Sequence, residues 1–208
     1  MGGHGALVVG VGPSAKYATE MPRSGLRVYG VNDVEKILTP DDLLVVDSWK
    51  EWRRLKNRWP DVTRTKAKRV WVTDAVLGAY MMKSVRRFDT THILAMKDRE
   101  NWSIDETRFD PDTETEIPVL PGFYTSTFPA CVMAYQHGAK RIGLIGCDFH
   151  QHNLTPRSEA IDRMFGVLCE KMSDRGVELV NLSAQSALRS LPVLSPAEWL
   201  EEVWAAQA

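Results

Sequence analysis

PGFYTSTFPACVMAYQHGAKRIGLIGCDFHQH, running from Pro121 to His152, is the stretch whose reading decides the fold. Gly122 lets the backbone turn tightly, Thr125 and Ser126 are good N-cap types, and Pro129 suits the first turn of a helix. The helix carries Ala130, Cys131, Ala134 and Tyr135 and closes at Gly138, a residue suited to the left-handed position after a helix C-terminus. After Lys140 and Arg141, the run from Ile142 to Gly146 is too continuously apolar for a half-exposed strand. It reads as a central strand of a parallel sheet. Beyond its C-terminal end stand Asp148, His150 and His152, where ligands bind in open parallel sheets. Taken alone, the same residues also read as a strand-exit turn at Gly146 and a helix-capping carboxylate at Asp148.

Outward from this stretch, the chain has the size of one α/β domain: 208 residues, 44% of them hydrophobic. A formal net charge of −1 sets up no overall field for nucleic acid or an anionic membrane. Cys131, Cys147 and Cys169 share no metal-ligand spacing and read as reduced, core-filling thiols. There is no cationic leader and no apolar run of membrane-spanning length. These features imply a cytoplasmic protein with no membrane span.

The first strand, Ala6 to Val9, runs directly into Gly10-Val11-Gly12-Pro13-Ser14-Ala15-Lys16. Small residues let such a turn approach a ligand, and Ser14 is placed to cap a helix whose N-terminal N–H groups suit a phosphate. The pattern is neither a Rossmann GxGxxG nor a Walker loop, so a plain tight turn remains open. A second strand, Leu26 to Val31, ends at Asn32 and Asp33. Asn32 stands where a polar group commonly meets a ribose or a base edge, or it starts a turn. A third strand, Leu43 to Val46, ends at Asp47 and Ser48, and a fourth, Val70 to Val72, at Thr73 and Asp74.

Between them, Trp49 to Trp59 forms an amphipathic helix with interleaved tryptophan, arginine and lysine. Packing of the tryptophans on the sheet accounts for it, and a polyanionic acceptor, DNA included, is the alternative. A helix follows from Ala75 to Val85, and His92 to Met96 is a further strand. Residues 97–118 turn polar and acidic and read as a flap over the site. Asp110 and Asp112 within it are either solvated charge or a pair of metal-ligating carboxylates. A helix from Glu159 to Asp174, a strand from Val177 to Leu182 and a helix from Ala197 to Ala206 complete the chain. The last helix has an apolar face of Trp199, Leu200, Val203 and Trp204, suited to its own sheet or to a second copy in a homo-oligomer.

The loop GVGPSAK, Asn32 after the second strand, and GFYTS followed by GAKRIGLIGCDF together resemble the bacterial lipooligosaccharide sialyltransferases. They also resemble the related MptE-like domains, among them 6-hydroxymethylpterin diphosphokinases. The resemblance extends from about Ala6 to Ser186 and is tight only in the first loop and from Gly122 to Phe149. It implies a nucleotide site in which Gly12, Pro13, Ser14, Asn32 and Gly122 hold the donor, with Asp148 and Phe149 near its phosphate. It implies no histidine base that can be carried over directly, since no histidine follows His152. Val11, Pro121 and Asp47 stand where the sialyltransferases place amides or a serine, so the base preference differs.

The expectation is therefore an α/β fold: one Rossmann-like domain spanning 1–208, with a mostly parallel central sheet and helices on both faces. The nucleotide-binding set is Gly10, Gly12, Pro13, Ser14, Asn32, Asp47, Gly122, Tyr124 and Thr125, and the catalytic set is His150, His152 and Asp148. The expected activity is that of a sialyltransferase-like, inverting glycosyltransferase acting on a nucleotide sugar as substrate, with no tightly bound cofactor and no metal site. Its acceptor is a glycan, a small molecule or DNA. Backbone N–H groups from Gly12 to Ser14, with Lys16, would stabilise the leaving phosphate. The alternatives are a Mg²⁺-dependent diphosphokinase using Asp47, Asp74 or Asp148, and a nucleotide-binding protein without turnover.

Overall fold

The computed structural model describes residues 5–46, 65–73, 91–97, 102–110, 115–121, 125–149 and 156–206. Its described strands are β1 (Gly5–Val9), β2 (Leu26–Val31), β3 (Asp42–Val45), β4 (Arg69–Thr73), β5 (Thr91–Lys97), β6 (Thr107–Asp110), β7 (Thr115–Pro121), β8 (Arg141–Ile145) and β9 (Glu178–Asn181). They form a single open sheet in the order β6-β7-β5-β4-β3-β2-β1-β8-β9. Every neighbouring pair is parallel except the edge pair of β6 with β7. From β1 the chain builds outward first through β2 and later, on the other side, through β8. The gap between the two directions is the crevice in which doubly wound sheets bind ligands.

The near-continuous apolar strands follow from burial on both faces. Ala6 and Val8 of β1 join Tyr29, Val31, Leu44, Ile142 and Leu144 in one core, and Leu7 and Val9 join Val28, Leu43, Val45 and Ile145 in the other. Helix α1 (Thr127–Gln136) and helix α2 (Pro156–Ser173) cover the first face. Helix α1 has fully buried residues on every side, from Phe128 to Ala134, and α2 contributes Ile161, Phe165, Leu168 and Met172 at helical spacing. Helix α3 (Pro196–Ala205) docks Trp199, Leu200 and Val203 on the second face. Gly143 makes room for it: a Cβ there would lie 2.9 Å from the Trp199 ring. Three of the four residues of the expected apolar face are thus buried against the chain's own sheet, while Trp204 stays 39% exposed.

Several local expectations meet direct geometry. Gly138 takes φ +86, and the N–H groups of Gly138 and Ala139 bond back to the carbonyls of Tyr135 and Ala134, closing α1 as foreseen. Ser14, by contrast, is not an N-cap. The residues after β1 form a short 3-10 helix, Pro13–Thr19, whose N-cap is Gly12. Ser14 sits one residue inside it because its hydroxyl has another partner, described below.

Residues 97–118, read from the sequence as an aperiodic flap, contain β6 and the start of β7, and Pro121 ends β7 rather than opening a turn. Acidic residues and Pro118 obscure the alternation there. The described part is fastened to α1 and to the turn after α2. Ile104 is 1% exposed, Gln136 donates to the carbonyls of Ile104 and Glu106 at 3.0 Å each, and Arg175 pairs with Asp105. Trp102 meets Phe128 edge to face.

A second polar joint ties the start of the sheet. Asp42 is fully buried, ion-paired at 2.7 Å to both Arg27 and Arg69, and accepts a hydrogen bond from Trp71 Nε1 at 2.9 Å. Burial by itself would raise its pKa, but the hydrogen bonds from Arg27, Arg69 and Trp71 outweigh burial and hold the carboxyl below its ordinary range.

Candidate functional site

Strands β1, β2 and β8 end level with one another, Val9 lying opposite Gly30 on one side and Ile145 on the other. Three strand exits therefore open at one place, and the head of α1 faces them. The cavity between them measures about 230 Å³ and is lined by Gly10 to Pro13, Val31 and Asn32, Thr125 to Thr127, and Gly146 to Phe149. A larger cavity of about 490 Å³ lies at the other end of the sheet, among Gly5, Lys140, Arg141 and Glu178, and contains none of the expected residues.

The exits of β1 and β8 form one joint. Gly10 N–H donates to the Ile145 carbonyl and Gly12 N–H to the Gly146 carbonyl, both at 2.8 Å, and Gly146 N–H donates to Ser14 Oγ at 2.9 Å. The backbones cross too closely for side chains. A Cβ on Gly10 would lie 2.3 Å from the Gly146 carbonyl oxygen, and one on Gly12 would lie 2.7 Å from both that oxygen and Asp148 Oδ2. Gly146, at φ +75, has its own missing Cβ position 2.7 Å from the Gly10 oxygen. The two glycine-rich motifs found far apart in the sequence are the two halves of this contact.

Asp148 completes the joint from inside. It is 2% exposed, and both carboxylate oxygens are engaged: Oδ2 accepts from Ser14 N–H at 2.6 Å and Oδ1 from the Ser183 hydroxyl at 2.8 Å. Its carbonyl accepts from Ala187 N–H at 2.9 Å, so one residue ties together the chain after β1, β8 and β9. The geometry makes Asp148 a positioning residue of the joint that also lines the cavity.

It also corrects the expected phosphate cradle. Gly12 N–H is bonded to Gly146, Pro13 has no N–H, and Ser14 N–H is bonded to Asp148. The negative group at the start of this short helix is the protein's own carboxylate. The Lys16 ammonium lies over the ring of Tyr17, 5.0 Å from its centroid.

On the other side, Asn32 takes φ +53 and its Nδ2 donates to Ser126 Oγ at 3.1 Å, linking the exit of β2 to the head of α1. Phe149 also has a left-handed backbone, φ +52, which costs a non-glycine residue about 1 kcal/mol. Both strained residues line the same cavity, and strain of this kind gathers where a particular backbone direction is needed. Behind Thr125 runs a chain of small polar groups: Thr125 Oγ1 is 2.8 Å from Thr127 Oγ1, and the Cys147 thiol donates to Thr127 Oγ1 at 2.8 Å. Burial pushes the Cys147 thiol up to about 12.

The structure thus brings together Gly10, Gly12, Pro13, Ser14, Asn32, Thr125 and Asp148. Asp47, Gly122, Tyr124, His150 and His152 lie outside the described residues, as do Asp74, Asp112 and the helices expected at Trp49–Trp59 and Ala75–Val85. Sequence reasoning missed Thr127, Cys147 and Ser183 as parts of the site. The run Thr125-Ser126-Thr127, three hydroxyls at a helix head, was the available signal for the first; nothing local marked the other two. Among the described residues no group of three or more His, Cys, Asp or Glu side chains is placed to hold a metal ion, and no helix is long and apolar enough to cross a membrane.

No protein-family model and no curated protein sequence matches the chain. Solved structures do match over nearly its whole length. The sialyltransferase CstII from Campylobacter jejuni, in complex with the substrate analogue CMP-3FNeuAc, aligns with a TM-score of 0.51 at 13% identity, covering 93% of this chain and 86% of that one. CST-II in complex with a trisaccharide acceptor and CMP gives 0.50 at 14% identity, with 92% and 86% covered. A point variant of CST-II in complex with CMP gives 0.52 at 13%, with 93% and 86% covered. At this identity the likeness is one of fold: the chain has a sialyltransferase-like α/β fold. The diphosphokinase-like half of the resemblance has no such support.

Proposed function

We propose that the chain, as one nucleotide-binding domain over 1–208, is a glycosyltransferase that uses a nucleotide sugar as donor. The observation that carries this reading is the cavity at the exits of β1, β2 and β8. It gathers the GVGPS loop, Asn32 and Asp148 in a fold like that of enzymes solved with CMP and a CMP-sugar analogue. Enclosure by backbone turns, the Asn32 amide and the Thr125–Thr127 hydroxyls suits a polar ligand with a sugar and a phosphate.

In the proposed reaction His150 or His152 takes the proton of an acceptor hydroxyl. The acceptor oxygen bonds to the anomeric carbon from the face opposite the nucleotide, the bond from that carbon to the phosphate oxygen breaks, and the nucleoside monophosphate leaves with the electron pair. Inversion follows from this single displacement. His150 directly follows Phe149, which lines the cavity, and this adjacency supports the assignment. Asp148 holds the joint.

The test is nucleotide release from a panel of nucleotide sugars, with the wild type and with His150→Ala and His152→Ala separately. One of the two variants should lose at least a hundredfold in turnover. Full turnover in both would end this mechanism, and binding without release in the wild type would make the chain a nucleotide-binding protein.

A further inference from the structure

We infer that the Thr125 hydroxyl donates a hydrogen bond to an oxyanion of the ligand, its phosphate group, and that Cys147 sets that hydroxyl in the donating direction. The inference rests on the nucleotide reading above and deepens it by naming a residue that selects for the charged group.

The argument follows the hydrogens. Cys147 is 4% exposed, and burial keeps it a thiol rather than a thiolate. A buried thiol hydrogen is best placed on an oxygen, and Sγ lies 2.8 Å from Thr127 Oγ1 with the thiol donating. Thr127 is itself 2% exposed, and its hydroxyl has one hydrogen of its own to place. Among the described residues the hydroxyl oxygen within reach is Thr125 Oγ1, 2.8 Å away, a distance across which either hydroxyl can donate. With Thr127 donating to it, Thr125 Oγ1 is an acceptor on the inner side, so its own hydrogen turns outward. Thr125 is only partly buried and lines the cavity, so the chain Cys147–Thr127–Thr125 ends in a donor that faces the ligand. A donor of this kind favours an anionic oxygen. The Gly12 and Ser14 N–H groups, the donors first expected there, are already bonded within the protein.

The experiment is titration calorimetry of the full chain with a panel of ribonucleoside monophosphates and the matching uncharged nucleosides. Thr125→Val should weaken the best-bound monophosphate about tenfold or more, while the nucleoside changes by less than about twofold. Thr125→Ser keeps the hydroxyl and should bind like the wild type, which separates loss of the donor from loss of folding. Cys147→Ala lets Thr127 point either way and should weaken the monophosphate by a smaller factor. That factor should not add to the effect of Thr125→Val in the double variant. The proposal is overturned if Thr125→Val binds the monophosphate as the wild type does, if it weakens nucleoside and monophosphate equally, or if Thr125→Ser is as weak as Thr125→Val. Failure of the nucleotide reading itself shows in the wild type alone, as binding of neither class, and overturns this proposal with it.

Discussion

Asp148 accepts a hydrogen bond from the backbone N–H of Ser14 at 2.6 Å, across 134 positions of sequence. A carboxylate at the start of a helix commonly caps its own helix; here it caps one built from the first loop of the chain. The bond makes the loop after β1 and the exit of β8 a single rigid wall of the cavity.

Replacing Asp148 should therefore act on stability before chemistry. Asp148→Asn keeps one acceptor oxygen and should cost about 2 kcal/mol; Asp148→Ala leaves Ser14 N–H and the Ser183 hydroxyl without their acceptor and should cost more, about 3 kcal/mol. Chemical denaturation checks the order. Unchanged stability in both variants would mean that the joint does not hold the fold together.

The crossing glycines give a sharper contrast. Gly10→Ala would put a methyl 2.3 Å from a backbone oxygen that cannot move alone, whereas nothing lies within 4 Å of the position a Cβ would take on Gly138. Gly10→Ala should destabilise by about 3 kcal/mol or prevent folding. Gly138→Ala carries only the left-handed backbone penalty, about 1 kcal/mol. Comparable losses from the two would show that the close crossing is not a constraint.

Asp42 predicts a pH dependence. Its pKa is held down in the folded chain by Arg27, Arg69 and Trp71 against the opposing effect of burial. A depressed folded pKa adds stability that is fully present above the unfolded value, near 4, and is lost as pH falls through the folded value. Asp42→Asn should lower stability at neutral pH by about 3 kcal/mol and flatten the decline below pH ~4. Denaturation midpoints measured from neutral to acid pH decide it: parallel acid limbs in the two proteins would remove Asp42 from the account.

Much of the sheet was legible because its inner strands are buried on both faces and read as unbroken apolar runs, as in LVV of β1 and IGLI of β8. Strands β6 and β7 were not, since their sequence mixes acidic residues with Pro118 and Pro121, which suit a loop equally well. The two motifs of the joint were visible as motifs, but a bond spanning 134 positions has no local signature. A Gly-Pro-Ser turn leading into a helix also reads the same whether its N–H groups meet a ligand or an internal carboxylate. For that reason the sequence points a phosphate at Gly12–Ser14, where Asp148 already accepts from Ser14 N–H. Ser183 and Cys147 entered the site only through tertiary contact.

The central claim is that the cavity at the exits of β1, β2 and β8 holds a nucleotide. Thermal unfolding of the full chain with a panel of nucleotides and nucleotide sugars tests it most directly. At a ligand concentration about a hundredfold above Kd, binding adds about 2.7 kcal/mol and should raise Tm by about 5 °C or more. The account predicts such a rise for at least one nucleotide, rising further with concentration; an unchanged Tm with every nucleotide and nucleotide sugar would contradict it.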